Sequence, residues 1–242
     1  MKLAHFLNIL IVGVVICWIV AFIFCEDKAV PLTNEDCLVE WTQVFLFLVA
    51  IIYCFLMVKG YRIYYNNTIA MGCFLSFLIL AVFVVGEEIS WGQRIFEIQT
   101  PDFLKEVNKQ HEINFHNLRA IQRFRHWLLI GVGVVGLIMI FKKDVLRKIL
   151  AEPLPAVLQP SANLAILFTL ILVGGIFVEF GDLLKFFTDG SDSAKRIRFM
   201  AGRCSEIAEL FLAFAVCWYS ASKYYEMKRG DWKIRELLSR QA

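Results

Sequence analysis

The sequence predicts an all-α integral membrane protein, a bundle of six transmembrane helices with a short interfacial helix in the third loop. Of the 242 residues, 59% are hydrophobic and only 19% are charged, and the mean hydropathy is +0.62. A membrane span needs about 20 mostly apolar residues, so six spans would occupy about half of such a chain. These observations exclude a water-soluble class and predict one membrane domain over residues 1–242.

The predicted spans are long stretches with little or no charge. They cover residues 6–25, 41–58, 68–86, 127–141, 162–178 and 207–221, of which the fourth is the shortest. The first run follows Lys2 as a signal peptide would, but its end at residues 22–25 reads Phe-Ile-Phe-Cys. Because signal cleavage requires small residues there, we expect this segment to stay attached as a signal anchor.

Lys and Arg are concentrated in alternate loops, which predicts the orientation of the spans. The N-terminal stub, the second and fourth loops and the tail at 223–242 are basic, whereas the first loop has five acidic residues against Lys28. Both termini are therefore predicted to be cytoplasmic, in a bacterial inner membrane. The net charge of +3 reports this asymmetry, and we expect no nucleic-acid partner. The tail is predicted to anchor at anionic lipid headgroups.

The third loop, residues 87–126, is predicted to face outward. Its segment 100–102 reads Thr-Pro-Asp, the residue types of a helix start. In the helix that follows, Phe103, Leu104 and Val107 would share one face. This pattern predicts a short helix that lies on the outer membrane surface.

Acidic residues at the ends of the spans are the most informative polar groups. A charged side chain costs about 2.5 to 3.5 kcal/mol at the centre of a membrane helix and usually faces a bundle interior. With the predicted orientation, six carboxylates gather at the outer side: Glu87, Glu88, Glu179, Asp182, Glu206 and Glu209. Glu206 and Glu209 are three residues apart and so share a helix face, with Glu209 one turn deeper.

The seven cysteines lie mostly within spans, where each is expected to serve as a small apolar side chain. Only Cys25, Cys37 and Cys204 are predicted to lie near the outer face. A disulfide between Cys25 and Cys37 would be compatible with that environment, and the sequence leaves it open.

Part of the third span and loop resembles a known pattern. Residues 86–96 read Gly-Glu-Glu-Ile-Ser-Trp-Gly-Gln-Arg-Ile-Phe, residues 114–117 read Asn-Phe-His-Asn, and Glu206-x-x-Glu209 follows in the sixth span. This combination resembles a family of uncharacterised bacterial multi-pass inner-membrane proteins. The resemblance covers roughly the middle third of the chain plus the sixth span. It implies where a site lies and implies no chemistry for it.

Carboxylates and imidazoles at a membrane boundary predict a divalent metal such as zinc, which would activate water. The leading hypothesis is a metal-assisted hydrolase or transferase that acts on a lipid or lipid-linked substrate at the outer leaflet. The candidate metal ligands are Glu87, His111, His116 and Glu206. The candidate catalytic residues are Glu88 and Glu209, as ligand or general base, and His116, as ligand or acid and base. The candidates for binding a headgroup phosphate are Arg94, Arg198 and Arg203.

Two other classes of function remain open. The acidic residues could pair with Arg and Lys as a salt-bridged outer face of a non-enzymatic assembly or binding subunit, either a homo-oligomer or a partner of another membrane protein. Alternatively, a polar cavity lined by acids could carry protons or cations across the membrane. The first of these uses the same residues as the enzyme hypothesis.

Two local motifs have a structural interpretation. Residues 131–136 read Gly-Val-Gly-Val-Val-Gly and match a dinucleotide fingerprint, but they lie in an apolar span with no preceding strand. Close helix packing explains them better. Ser90 lacks the flanking glycines of a nucleophile elbow, and we expect no catalytic role for it.

Overall fold

The structure, a computed structural model, describes residues 38–65, 67–93, 95–108, 111–142, 156–187 and 192–230. Within these residues the fold is all-α and no β-strand is present, apart from one antiparallel bridge between Asn108 and Leu118. The first predicted span, the Cys25 and Cys37 pair and Arg94 lie outside the described residues.

Six α-helices account for most of the described chain. They are α1 (Leu38–Gly60), α2 (Thr68–Glu88), α3 (Asp102–Val107), α4 (Arg119–Phe141), α5 (Ala165–Phe187) and α6 (Asp192–Arg229). A π-helical turn over Tyr61–Tyr65 extends α1. Asn67 caps α2, because its side chain accepts a hydrogen bond from the backbone N–H of Ala70 at 3.0 Å.

Four helical segments are long and apolar enough to cross a membrane: Leu38–Ile63, Thr68–Glu88, Phe124–Phe141 and Ala162–Gly181. They correspond to the second to fifth predicted spans, so the membrane class is supported for these segments. The sixth predicted span lies inside α6, a helix of 38 residues that is not among the four. Its acidic and basic residues, including Glu209 and Lys223, lower its mean hydropathy. The orientation of the termini stays a prediction.

The longest helix, α6, lies between two pairs of helices. On one side, a hydrophobic cluster joins α6 to α1 and α2 through Phe47, Val85 and Ala213. On the other side, a second cluster joins it to α4 and α5 through Leu129 and Ile171. We call the end of the bundle where α2 ends and α4 begins the outer end, following the predicted orientation.

Close helix packing, as predicted, explains two of the three glycines at 131–136. A Cβ atom built on Gly133 would lie 2.7 Å from the Cβ of Leu172 and 2.9 Å from its backbone N, so α4 and α5 are in close contact there. Gly136 approaches the ring of Phe168 in the same way. Gly131, by contrast, has open space beside it.

We expect Gly133→Ala to destabilise the protein by about 1 to 3 kcal/mol, because the added methyl group must push the backbone of α5 away. Gly131→Ala is the matched control, since it makes the same change of helix propensity in the same helix without a clash. Thermal unfolding in detergent measures the difference. Equal midpoints for the two variants would contradict the close contact.

The predicted interfacial helix is present as α3, which begins at Asp102 with Pro101 as its N-cap residue. None of its residues is buried, and Phe103 is exposed. Lys105 pairs with Asp102 at 2.9 Å on its surface, and this hydrogen bond lowers the pKa of Asp102. Helix α3 therefore forms with the predicted apolar residues unpacked, and its contact with lipid stays a prediction.

The segment predicted as the start of the cytoplasmic tail, from residue 223, is helical, and its side of the membrane stays a prediction. Helix α6 continues to Arg229, and only 1% of the Lys223 residue surface is exposed. Its ammonium group pairs with Glu226 at 2.7 Å. The sequence predicts Lys223 to be a solvated basic residue of the tail, whereas the structure buries its side chain. Residues 231–242 lie outside the described residues.

Candidate functional site

Glu87 anchors a folded cap over the outer end of the bundle. The cap is formed by the described residues between 89 and 118, which connect α2 to α4. Glu87, the last residue but one of α2, is buried, with 4% of its surface exposed. Its Oε1 accepts a hydrogen bond from Trp91 Nε1 at 2.7 Å, and its Oε2 accepts from the backbone N–H groups of Phe115 at 2.7 Å and His116 at 2.8 Å. A buried carboxylate is stable when several donors satisfy it. Glu87 therefore ties the start of the cap to a segment 28 residues further on.

The chain leaves α2 through a left-handed turn. Ser90, Trp91 and Gly92 have φ values of 48°, 55° and 76°, a region that is strained for residues with a side chain. This turn folds the Trp91 ring back onto Gly86, where an added Cβ atom would lie 2.8 Å from the ring. The hydrogen bond of Trp91 to Glu87 holds this conformation. Gly86 is therefore needed for close approach of the indole.

Polar side chains fill the interior of the cap. Ser90 Oγ donates to Glu112 Oε2 at 2.5 Å, and the side-chain amide of Asn114 donates to the same oxygen at 2.9 Å. The Asn108 amide donates to the Asn114 carbonyl groups of backbone and side chain, both at 2.8 Å. Ser90 thus has a structural role in the cap.

Gln93 connects the two halves of the cap. Its amide nitrogen donates to Thr100 Oγ1 at 2.6 Å, and its oxygen accepts from the backbone N–H of Ile113 at 2.6 Å. Thr100 in turn donates to the backbone carbonyl of His111 at 2.6 Å. Together with the bonds described above, these contacts give structural roles to four polar residues of the sequence pattern: Glu87, Ser90, Gln93 and Asn114.

An ionic cluster lies where α4 and α6 meet at the outer end. Arg125 Nε is 3.1 Å from Glu209 Oε1, and its Nη2 is 3.9 Å from Glu206 Oε1. Ser205 donates to Glu209 at 3.2 Å, and the Gln43 side chain donates to the backbone carbonyl of Glu206 at 3.0 Å. The cluster therefore joins α1, α4 and α6.

Arg125 was missed as a site residue by sequence analysis, which assigned substrate binding to other arginines. It lies two residues before the predicted fourth span and so was counted with the loop. Its position in the sequence could have indicated this role. Helix α4 begins at Arg119, so Arg125 lies inside the helix, at the same end of the bundle as Glu206 and Glu209. Only the packing of α4 near α6 shows which acids it pairs with.

Glu88 adds a third carboxylate to the cluster. It interacts electrostatically with Glu206, Glu209 and Arg125. Among the described residues, no hydrogen bond donor and no cation within 4 Å reaches its carboxylate. The cluster thus has three carboxylates around Arg125, and Glu40 and Arg203 add one charge of each sign near Glu206. Of the three, Glu88 is the one without an ion pair to Arg125 within 4 Å.

His116 enters the same region from the cap. Its backbone is fixed by Glu87, and its Nδ1 lies 3.6 Å from Glu87 Oε2, too far for a good hydrogen bond. The imidazole is largely buried, and this burial lowers its pKa below the ordinary value of about 6.5, despite the opposing effects of Glu209 and Glu87. At neutral pH the imidazole is therefore uncharged and able to accept a proton.

The lowered pKa of His116 predicts a pH dependence of stability. The unfolded chain takes up the proton first, so the free energy of unfolding is highest above about pH 6.5 and decreases as the pH falls toward the folded-state pKa. Replacing His116 with Gln removes this contribution. We expect the thermal midpoint of the wild type to fall more steeply between about pH 7 and pH 5.5 than that of His116→Gln, because His titrates in this range. Parallel pH curves for the two proteins would disprove it.

The remaining predicted residues lie at separate places in the structure. His111 Nδ1 lies 2.6 Å from the backbone carbonyl of Lys105, on the exposed side. Glu179 lies 3.4 Å from His126 Nδ1, a contact between α5 and α4 that the sequence did not reveal. Arg203 lies with its guanidinium 5.2 Å from the centre of the Phe199 ring. The side chains of Arg198 and Asp182 are outside the described residues.

The predicted metal ligands do not converge in the described part of the chain. Glu87 and His116 are neighbours, but both Glu87 oxygens already accept hydrogen bonds, His111 points to Lys105 and Glu206 faces Arg125. Among the described residues, no three His, Cys, Asp or Glu side chains are grouped so that they could hold a metal ion. This arrangement does not fit the predicted ligand set, and the metal itself stays a prediction.

The chain matches no protein-family model, no curated protein and no solved structure. The resemblance to uncharacterised bacterial inner-membrane proteins therefore stays a prediction, and the geometry of the site carries the functional argument.

Proposed function

We propose that the protein is a membrane-embedded hydrolase or transferase that acts by acid–base chemistry on a lipid or lipid-linked substrate at the outer leaflet. The observation that carries this proposal is the pair Glu88 and His116. Both lie near Arg125 and Glu209. The buried His116 Nδ1 has no hydrogen-bond partner among the described residues, and Glu88 is the cluster carboxylate without an ion pair to Arg125 within 4 Å.

The two groups have complementary roles. The uncharged His116 imidazole accepts a proton from the attacking water or hydroxyl group as its oxygen bonds to the carbonyl carbon or the phosphorus. Glu88, in its protonated form, delivers its proton to the leaving oxygen as the bond to that oxygen breaks. Arg203 lies three residues before Glu206 on α6, so both share one helix face, and Arg203 is the described residue suited to bind a headgroup phosphate. Arg125 holds Glu206 and Glu209 in place. No step in this scheme depends on a metal.

The test is incubation of purified protein with a total membrane lipid extract, followed by mass spectrometry of the products. Wild-type protein should convert a lipid species with time. Glu88→Gln and His116→Gln should each lower the rate by about 100-fold or more, as expected for loss of a general acid or base. Glu106→Gln, an exposed residue of α3, is the control and should keep the wild-type rate. Absence of any lipid product from folded wild-type protein would refute the proposal.

Transport is the second candidate, and the charge imbalance of the cluster favours it. Four carboxylates interact in this region with two guanidinium groups, those of Arg125 and Arg203, which leaves excess negative charge that protons or a cation could neutralise. A transporter would produce proton or cation flux in proteoliposomes that Glu209→Gln abolishes. Flux without lipid conversion would support this alternative over the enzyme.

A further inference from the structure

The cap exposes large apolar side chains although its backbone is firmly held. Ile95 and Phe96 are 70% and 72% exposed, and Trp91 is half-exposed. The backbone N–H groups of Ile95 and Phe96 donate to the Gly92 carbonyl at 2.9 and 3.0 Å. The side-chain amide of the neighbouring Gln93 is held at both its nitrogen and its oxygen, by hydrogen bonds to Thr100 and Ile113. Because the turn is held by hydrogen bonds, these side chains do not fold inward, and in water their exposure would be costly.

These residues continue the apolar surface of α2. The exposed ring of Phe83 on α2 packs edge-on against Trp91, with ring centroids 5.7 Å apart. The Phe96 ring lies against Gly92, where an added Cβ atom would be 3.0 Å away. An unbroken apolar surface therefore runs from α2 through Trp91 to Phe96.

The position of this surface along the membrane normal follows from the length of α2. This helix has 21 residues, which corresponds to about 31 Å, close to the roughly 30 Å thickness of the hydrocarbon core. The turn after α2 therefore lies at the level of the lipid headgroups. Trp is a residue that favours this level, since its ring is apolar and its N–H is polar.

From these observations we infer that Trp91, Ile95 and Phe96 form an outer ridge that inserts into the outer leaflet of the same bilayer that α2 spans. The ridge anchors the cap against the membrane. The ridge contacts the region of the bilayer in which the acyl chains meet the headgroups. This inference is independent of the proposed activity.

The test uses a fluorophore attached to the added cysteine of Phe96→Cys, in vesicles of phosphatidylcholine. Gln99→Cys is the matched control, because Gln99 is an exposed polar residue of the same loop. Unsubstituted protein, labelled in parallel, gives the background from the native cysteines. Ridge insertion of roughly 5 to 10 Å predicts about threefold stronger quenching by brominated acyl chains at position 96 than at position 99.

Iodide in the water should quench the label at position 99 and not that at position 96. Equal quenching of both labels by iodide would overturn the inference. A label at position 96 that neither iodide nor brominated lipid quenches would also overturn it, because the ridge would then be covered by protein, such as a second copy of the chain.

Discussion

Replacing Glu87 with Gln is expected to open the outer cap. Glu87 accepts hydrogen bonds from Trp91 and from two backbone N–H groups. A glutamine side chain has one acceptor oxygen, and its amide group would face donors. At least one buried donor would be left unsatisfied, at about 1 to 3 kcal/mol each, in addition to the loss of charge-assisted bonds. We expect a total cost of about 3 kcal/mol or more.

The measurement is tryptic cleavage after Lys105, which lies in the cap. A loss of about 3 kcal/mol corresponds to roughly 100-fold faster cleavage when cleavage follows local opening. Glu97→Gln is the control, because Glu97 is an exposed carboxylate of the same loop. If Glu87→Gln is cleaved no faster than Glu97→Gln, Glu87 does not anchor the cap.

Replacing Arg125 with Gln is expected to have the second large effect. This change leaves Glu88, Glu206 and Glu209 without their shared cation. Removal of one partner from a buried ion pair costs about 3 to 5 kcal/mol, because an uncompensated charge remains. The thermal midpoint should therefore fall by several degrees. Arg203→Gln, at the outer end of α6, should have a much smaller effect.

A double-mutant cycle distinguishes ionic coupling from loss of packing. Adding Glu209→Gln to Arg125→Gln removes one of the unpaired charges, so the double variant should be more stable than the sum of the single effects predicts. Strict additivity would show that Arg125 and Glu209 are not coupled. Both residues would then contribute only through packing.

The helices were largely predictable because apolarity over about 20 residues is a local property of the sequence. Predicted span three ends at residue 86 and α2 ends at Glu88. The start of α3 was predictable from the Thr-Pro-Asp segment for the same reason. Helix α6 was predicted only in part, since its charged residues are compatible with a solvated tail until packing buries Lys223.

The site was harder to predict because its contacts join distant segments. The acids Glu88, Glu206 and Glu209 were named from their positions at span ends. Arg125 could not be chosen as their partner, since that choice depends on how α4 packs near α6. Two of the three donors to Glu87 are backbone N–H groups, which every non-proline residue has, so no residue pattern identifies them.

The central position of α6 has a consequence for biosynthesis. Helices α1, α2, α4 and α5 precede α6 in the chain, and chains are synthesised from the N-terminus at about 5 to 20 residues per second. Arg125 and Glu88 therefore enter the membrane before Glu206 and Glu209 exist. For several seconds Glu88 is the one carboxylate of the three present beside Arg125, and the synthesis of α6 then adds Glu206 and Glu209 and fills the space between the two helix pairs.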